Sequence, residues 1–290
     1  MGKQAKDYDL RQLRQLLDSP SSYPGGFAGR GVVFSAGGNL LPGVYVAVRS
    51  LRQFGCQLPV EIWYLGNRER PSNRVQELFE QQNVSFVDSI QQAKEHRTYV
   101  VGGWPNKPFS ILRSRFKEVI SLDADNMVLQ NPERLFTDYR STGALMWPDF
   151  FMKPGGPWTI RQGAWELLGL APKVGAEIES GQLCFDKERV WKALNVVMHM
   201  NENYPFYYTR CSYGDKDTFT LAFALTNTPC TVVAHRPKHI AQGIRIHFAN
   251  DGSEMFQHCR KWRLPTRANP SIATYRLEKE CFTWLDEFKW

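Results

Sequence analysis

The chain has 290 residues, 42% of them hydrophobic and 22% charged, with 22 glycines and 17 prolines. That balance excludes a disordered tail, a collagen-like repeat and a coiled coil, and the length predicts one large α/β domain, or two halves sharing a core, with no need of a disulfide or metal in order to fold. The net charge is +7, and it is uneven: the stretch from His235 to Arg267 is basic and holds four of the six histidines. Such a stretch suits phosphate groups, whether of a nucleotide, a nucleic acid or a lipid surface, as well as a simple solvated face.

The elements follow in chain order. A short amphipathic helix is predicted over Tyr8 to Leu17, within a peripheral segment 1–29. Gly31 to Phe34 reads as a buried strand ending in a turn of small residues, Ser35 to Asn39. A helix from Val44 to Phe54, a strand from Val60 to Leu65, a helix from Ser72 to Gln82 and a strand from Val84 to Val87 come next. This alternation argues a parallel sheet covered by helices. A helix from Pro108 to Phe116 leads into Glu118 to Leu122, an apolar strand that ends abruptly in Asp123-Ala124-Asp125. Ala144 to Trp147 and Glu179 to Phe185 are strands. Short helices or helices proper are predicted at Gly163 to Leu168, Lys187 to Asn201 and Asp215 to Leu225. Thr231 to Val233 and Ile244 to Phe248 close the list as short strands.

Six cysteines form no CxxC pair, so a structural zinc site is not expected, and the even count permits disulfides without requiring them. No apolar run reaches the ~18 residues of a membrane span, and the N-terminus lacks the apolar core of a signal peptide. The chain as given reads as soluble. No nucleic-acid-binding motif accompanies the basic charge.

The sharpest chemical feature is Asp123-Ala124-Asp125. Residues i and i+2 of a strand point the same way, so the two carboxylates are expected to face one side at a strand end, where α/β sheets bind ligands. Oxygen ligands of this kind suit Mg²⁺ or Mn²⁺, with positions left for phosphate oxygens. The alternative is an acidic turn that caps a helix.

The run VISLDADNMVLQNPERLF resembles the central signature of GT-A glycosyltransferases. With NKPFSILRSRFKEVISLDADN, the strand Ala144 to Trp147 followed by Pro148-Asp149, ESGQLCFDK, GDKDTF and IHFAN, the wider pattern resembles the fungal-type α-mannosyltransferase family that contains the yeast Golgi α-1,3- and α-1,2-mannosyltransferases. The resemblance covers roughly residues 30–265, and it extends more distantly to the glycogenin-like retaining enzymes. It implies a GT-A fold: an α/β, Rossmann-like nucleotide-sugar-binding domain over 30–265, with a central mostly parallel sheet flanked by helices. A donor half would span 30–150 and an acceptor half 151–265, with 266–290 an extension.

The resemblance further implies a metal-dependent retaining transferase using Mn²⁺ (or Mg²⁺). GDP-mannose is the expected donor, a UDP-sugar the alternative, and a glycan or other hydroxyl acceptor the partner. Asp123, Asp125 and His247 would hold the metal. Phe34, Ser35, Ala36, Lys107, Asp123 and Lys261 would bind the donor. Glu179, Ser180, Gly181, Gln182, Asp149 and Trp147 would line the sugar and acceptor pocket, with Gly181 allowing close approach of ligand to backbone. Asp215, Lys216 and Asp217 would form the catalytic turn. Trp104, Trp147, Trp158 and Trp165 are candidates for stacking on sugar rings. Read without the resemblance, Asp215 and Asp217 cap and complement a helix, and His247 is a core histidine. A non-catalytic glycan-binding protein of the same fold is the competing class. It would be expected to lack a metal ligand or the GDKD turn. The related fungal enzymes are anchored in the Golgi, so the expected setting is the Golgi lumen if an anchor has been removed, and otherwise the cytoplasm.

Overall fold

The structure is a computed structural model that describes residues 3–98, 102–149, 160–173, 177–241, 243–259 and 276–288. Helix α1 (Lys3–Asp18) precedes the sheet. Then come β1 (Arg30–Ser35), α2 (Leu41–Gln53), β2 (Val60–Tyr64), α3 (Asn73–Glu80), β3 (Val84–Asp88), α4 (Ser89–Glu95) and α5 (Gly103–Arg113). The middle of the chain supplies β4 (Glu118–Leu122), β5 (Asn126–Val128), β6 (Ala144–Pro148), α6 (Gln162–Leu167) and β7 (Ile178–Asp186). After these come α7 (Lys187–Glu202), α8 (Tyr204–Arg210), α9 (Lys216–Leu225), β8 (Thr231–Val232), β9 (Lys238–Ala241), β10 (Ile244–Phe248), β11 (Glu254–Cys259) and α10 (Glu278–Glu287).

The expected central sheet is present. Its order is β3-β2-β1-β4-β7-β6-β8. The first four strands run parallel, β7 is antiparallel to both β4 and β6, and β8 returns parallel to β6. The apolar runs of β1, β2 and β4 serve both faces of this sheet, as strands covered on two sides must. Val33, Trp63 and Val119 face a core shared with α5, α7 and α9, while Val32, Phe34, Ile62 and Ile120 face one shared with α2, α3 and α10.

Helix α5 begins earlier than the prolines suggest. Pro105 falls in the first turn, where its missing N–H costs nothing, and Pro108 is accommodated inside the helix. Ser72 caps α3 by accepting from the Val75 N–H, and Asp88 caps the short α4 that periodicity does not reveal.

A second, four-stranded antiparallel sheet has the order β5-β11-β10-β9. It joins residues directly after the acidic turn to residues far along the chain. All six cysteines are free thiols. Among the described residues, no helix is long and apolar enough to cross a membrane.

Candidate active site

Strand β4 belongs to the large sheet and β5 to the small one, and the three residues between them are Asp123, Ala124 and Asp125. The strand stops at Leu122, so the two acids converge through a tight turn rather than through strand alternation. That turn is closed by the Asn126 N–H donating to the Asp123 carbonyl at 3.1 Å. Two further bonds fix it from below: the Asp123 N–H donates to the Gly181 carbonyl at 2.9 Å, and the Asn126 side-chain amide donates to that same carbonyl at 2.8 Å. Asn126 also donates to the Gln182 side-chain oxygen at 2.6 Å. Gln182 and Ser180 are thereby parts of the floor on which the turn rests, and both are buried.

The histidine beside the acids is His258, not His247. The His258 Nε2 lies 3.2 Å from Asp125 Oδ1, and one ligating atom each of Asp123, Asp125 and His258 fall within 4.8 Å of one another. Strand order is the reason. β11 pairs directly with β5, His258 opposite Asn126, whereas β10 with His247 is one strand farther out. Register puts Arg245 opposite His258, so His247 is the diagonal neighbour of His258. It forms a second cluster with Glu179 and His258, and neither of its ring nitrogens has a hydrogen-bond partner among the described residues. Burial holds the His247 pKa well below the usual imidazole value, so the ring is neutral.

Gly181 serves this histidine. A Cβ there would stand 2.6 Å from His258 Cε1, so the close approach a glycine was expected to permit is by the imidazole ring. Burial pulls the His258 pKa down, but Asp125 and Glu179 outweigh it and hold it up at about 9. The carboxylate cluster thus draws in positive charge at this point, as a cation site requires. Two carboxylates and one imidazole match the donor preference of Mn²⁺, and a six-coordinate ion would have positions left for other oxygens.

Lys107, one turn into α5, points its buried ammonium at the same place. It lies 2.7 Å from Asp123 Oδ1 and 3.5 Å from Asp215 Oδ2. It also donates to the Ser180 carbonyl at 2.9 Å and to the Ser180 hydroxyl at 3.1 Å. Burial opposes its charge, but Asp123 and Asp215 win, and its pKa is raised.

The GDKD turn opens α9 on the other side of Lys107. Lys216 forms an ion pair with Asp149, and its Nζ is 3.6 Å from Asp217 Oδ1. Asp217 is fully buried, and neither of its carboxylate oxygens has a hydrogen-bond partner among the described residues. Burial pushes its pKa up to about 7, against the pull of Lys216. Asp215 Oδ2 likewise accepts no hydrogen bond there. Asp215 precedes α9, yet its side chain does not cap the helix. Buried carboxylate oxygens without donors are costly unless a ligand supplies them.

Glu179 differs from these acids. Its Oε1 accepts from the Gly181 N–H at 3.0 Å, and its Oε2 lies 3.8 Å from His258 Nδ1 and 3.9 Å from Arg245. Burial raises its pKa, but His258 and the Gly181 amide outweigh that and hold it below the ordinary value.

Other sequence candidates separate cleanly. Phe34 and Trp147 are fully buried core residues. The Trp147 indole donates to the Phe248 carbonyl at 2.7 Å and packs edge-on against Phe256, so neither ring face is offered to a sugar. Trp165 is also core, and Trp104 alone of the described tryptophan candidates is exposed. Ser35 ends β1 beside β4, with its buried hydroxyl unpaired among the described residues, and Ala36 donates its N–H to the Trp63 carbonyl. Lys261 and Trp158 lie outside the described residues. His258 is the site residue that motif reading overlooked; its only signal was its place among the basic C-terminal histidines.

A family model described as a mannosyltransferase, Mannosyl_trans3, matches residues 29–159 and 171–258. Similar proteins include the alpha-1,2-mannosyltransferase MNN26 of Candida albicans, 25% identical over 92% of this chain and 42% of its own length. MNN21 of the same organism is 26% identical over 70% of this chain and 39% of its own length. The chain thus spans about two fifths of the length of these curated relatives. Among solved structures, an active-site mutant of LgtC superposes with a TM-score of 0.53 at 15% identity, covering 89% of this chain and 95% of that one. The Saccharomyces cerevisiae mannosyltransferase Ktr4p gives 0.50 at 12% identity, over 98% and 90% of the two chains. These likenesses establish the fold as GT-A.

Proposed function

The chain belongs to the mannosyltransferase family Mannosyl_trans3, and from that premise we propose that it transfers mannose from GDP-mannose to a hydroxyl of a glycan, with retention, forming an α-linkage. The observation that carries the reading is the convergence of Asp123, Asp125, His258, Lys107 and the Asp215–Asp217 turn at the C-terminal end of β4, the central strand of the large sheet. Asp123, Asp125 and His258 would hold Mn²⁺ or Mg²⁺, which when bound offsets the negative charge that builds on the departing nucleoside diphosphate.

The remaining roles fall to the chain's own groups. Lys107 steadies Asp123 and Asp215 and faces the phosphates. Ser35, Ala36 and the loop that follows them take the nucleoside, and Lys261 adds positive charge near the diphosphate. Asp215 and Asp217 accept hydrogen bonds from sugar hydroxyls through the carboxylate oxygens that lack donors. Asp149 holds Lys216 against the sugar. Glu179 is committed to the Gly181 amide and to His258, so it positions the imidazole rather than attacking the sugar. With Glu179 so committed and the two acids of the turn assigned to sugar hydroxyls, a front-face route fits best. The bond from the anomeric carbon to the phosphate oxygen breaks, the acceptor oxygen bonds on the same face, and its proton passes to the departing phosphate. Residues 30–150 would serve the donor and 151–265 the acceptor. By family resemblance the setting is the Golgi lumen.

The test is a donor screen with GDP-mannose, UDP-galactose, UDP-glucose and UDP-GlcNAc, each with Mn²⁺, scored for hydrolysis and transfer. GDP-mannose should be turned over fastest; preference for a UDP-sugar would overturn the donor assignment, and turnover of none would favour the glycan-binding class. Asp125→Ala should lower turnover by about 10²-fold or more, since several kcal/mol of charge stabilisation is lost. Full activity of a metal-stripped sample in EDTA would refute the cation. Proton NMR of the first product should show an α-linked sugar.

A further inference from the structure

Five large apolar side chains are exposed among the described residues, and two of them, Trp104 and Tyr213, lie against each other. Their ring centroids are 5.5 Å apart at 57°, and Tyr208 backs Trp104 at 6.0 Å. The other three, Leu40, Val232 and Phe282, have no place in this group. Single exposed apolar residues are ordinary; a pair of aromatic rings at the mouth of a polar site is a feature to be explained.

The position of the pair is tied to the site at both ends. Trp104 stands three residues before Lys107 on α5, one helical turn away and on the same face, so one rigid helix carries the phosphate-side lysine and the indole. Tyr213 and Gly214 immediately precede Asp215. A Cβ on Gly214 would stand 3.2 Å from Trp104 Cε3 and 3.4 Å from Cδ2, so the glycine backbone lies flat on the six-membered ring of the indole. Gly214 packs against part of the ring, and Trp104 is still 50% exposed. The indole is therefore held in one orientation by Gly214, Tyr208 and Tyr213 before any ligand arrives, and binding to it costs little side-chain entropy.

We infer that Trp104, with Tyr213, is the platform on which the acceptor sugar stacks. This rests on the transferase reading given above. A pyranose offers an apolar C–H face to the indole while its edge hydroxyls remain free for Asp215. The indole contributes mostly to the acceptor, because Lys107 and the acidic turn lie between it and the phosphates.

The full chain is assayed with GDP-mannose and Mn²⁺, with methyl α-mannoside or α-mannobiose as acceptor. Trp104→Ala should raise the acceptor KM at least tenfold, about 1.4 kcal/mol of binding, while the donor KM moves less than twofold. Trp104→Phe should recover most of the loss. An acceptor KM within twofold of the parent, or donor and acceptor KM rising together, would overturn the platform. Saturation-transfer NMR with α-mannobiose and no donor reads the same contact in the absence of turnover. The sugar C–H signals should lose their enhancement in Trp104→Ala, and an unchanged spectrum would count against the inference even if the donor assignment fails. If a serine-containing peptide is mannosylated in preference to the mannosides, the acceptor class is wrong.

Discussion

Two buried lysines act on the two ends of α5, and they are held in opposite ways. Lys107, near the start, is ringed by Asp123, Asp215 and Ser180, and its charge is reinforced. Lys187, at the start of α7, is fully buried beneath the far end of the same helix. It donates to the Leu112 carbonyl at 3.3 Å and the Ser114 carbonyl at 2.6 Å, and its ammonium lies 3.4 Å from the Phe27 ring centroid. No carboxylate pairs with it among the described residues, and burial pushes its pKa down to about 7. The same side chain in the same degree of enclosure is a fixed cation at one end and a near-neutral amine at the other. Neighbouring carboxylates, not burial, decide which, and the carboxylates are concentrated where a ligand is expected.

The largest effect should come from Lys107→Met. It leaves Asp123 and Asp215 without their cation, so stability should fall by about 3–5 kcal/mol in EDTA, with turnover strongly reduced. Added Mn²⁺ should return part of the stability, because it supplies charge beside Asp123. Chemical denaturation with and without the metal reads this, and equal losses in both would break the contrast between the two ends.

Gly181→Ala should follow. The added methyl displaces the His258 ring, and loss of a positioned ligand should weaken Mn²⁺ binding by about 10–100-fold, measured by calorimetry.

Asp217→Asn should trade function for stability. With a folded pKa of about 7 against an ordinary 3.8, Asp217 binds a proton in the folded state that the unfolded chain has lost. Stability therefore falls as pH rises from about 4 to 7, and the penalty persists above 7. The amide should be more stable than the parent at pH 8, by about 1–3 kcal/mol, with the difference vanishing near pH 4, and it should transfer poorly.

Lys187→Met should be the mildest and should leave transfer intact. Between pH 7 and about 10.5 the unfolded chain holds a proton that the folded one lacks, so the parent gains stability as pH rises through that window and loses it as pH falls toward 7. The methionine variant should show a flatter profile over pH 7 to 9.5. A parallel profile would mean that Lys187 is charged after all, and that the two ends of α5 are alike.

Much of this arrangement was legible in the residues. The strands β1 to β4 announce themselves because each is an apolar run bounded by turn residues, and the acidic turn stands out because two carboxylates follow EVISL without a break. The small sheet did not stand out. β5 has only three residues, and β11 shows no alternation because Met255, Phe256 and Gln257 are all buried. Gln257 reads as a surface residue, yet its amide faces the Met127 and Cys259 sulfurs. Without β11 next to β5, nothing distinguishes His258 from its three basic-stretch companions, and the motif alone points to His247, its diagonal neighbour. Likewise Gly181 reads as a place for a ligand, while only the fold reveals the ring that fills it. Trp147 and Trp104 are the same residue type; one sits in a strand flanked on both sides and is buried, the other in the first turn of α5 and is exposed.

The pairing of β5 with β11 also sets a timetable. In the large sheet β1, β2 and β3 join near neighbours in the chain, and with their helices they can assemble as soon as they are made. β5 finds β11 across the stretch from Val128 to Glu254. At about 5–20 residues per second of synthesis, that interval is roughly 6–25 s. During it the turn holding Asp123 and Asp125 has left the ribosome with its histidine still unmade. The edge of β5 is open for the same time, a pairing surface without a partner. A chain stopped anywhere before His258 carries the acids without the ring that stands beside them.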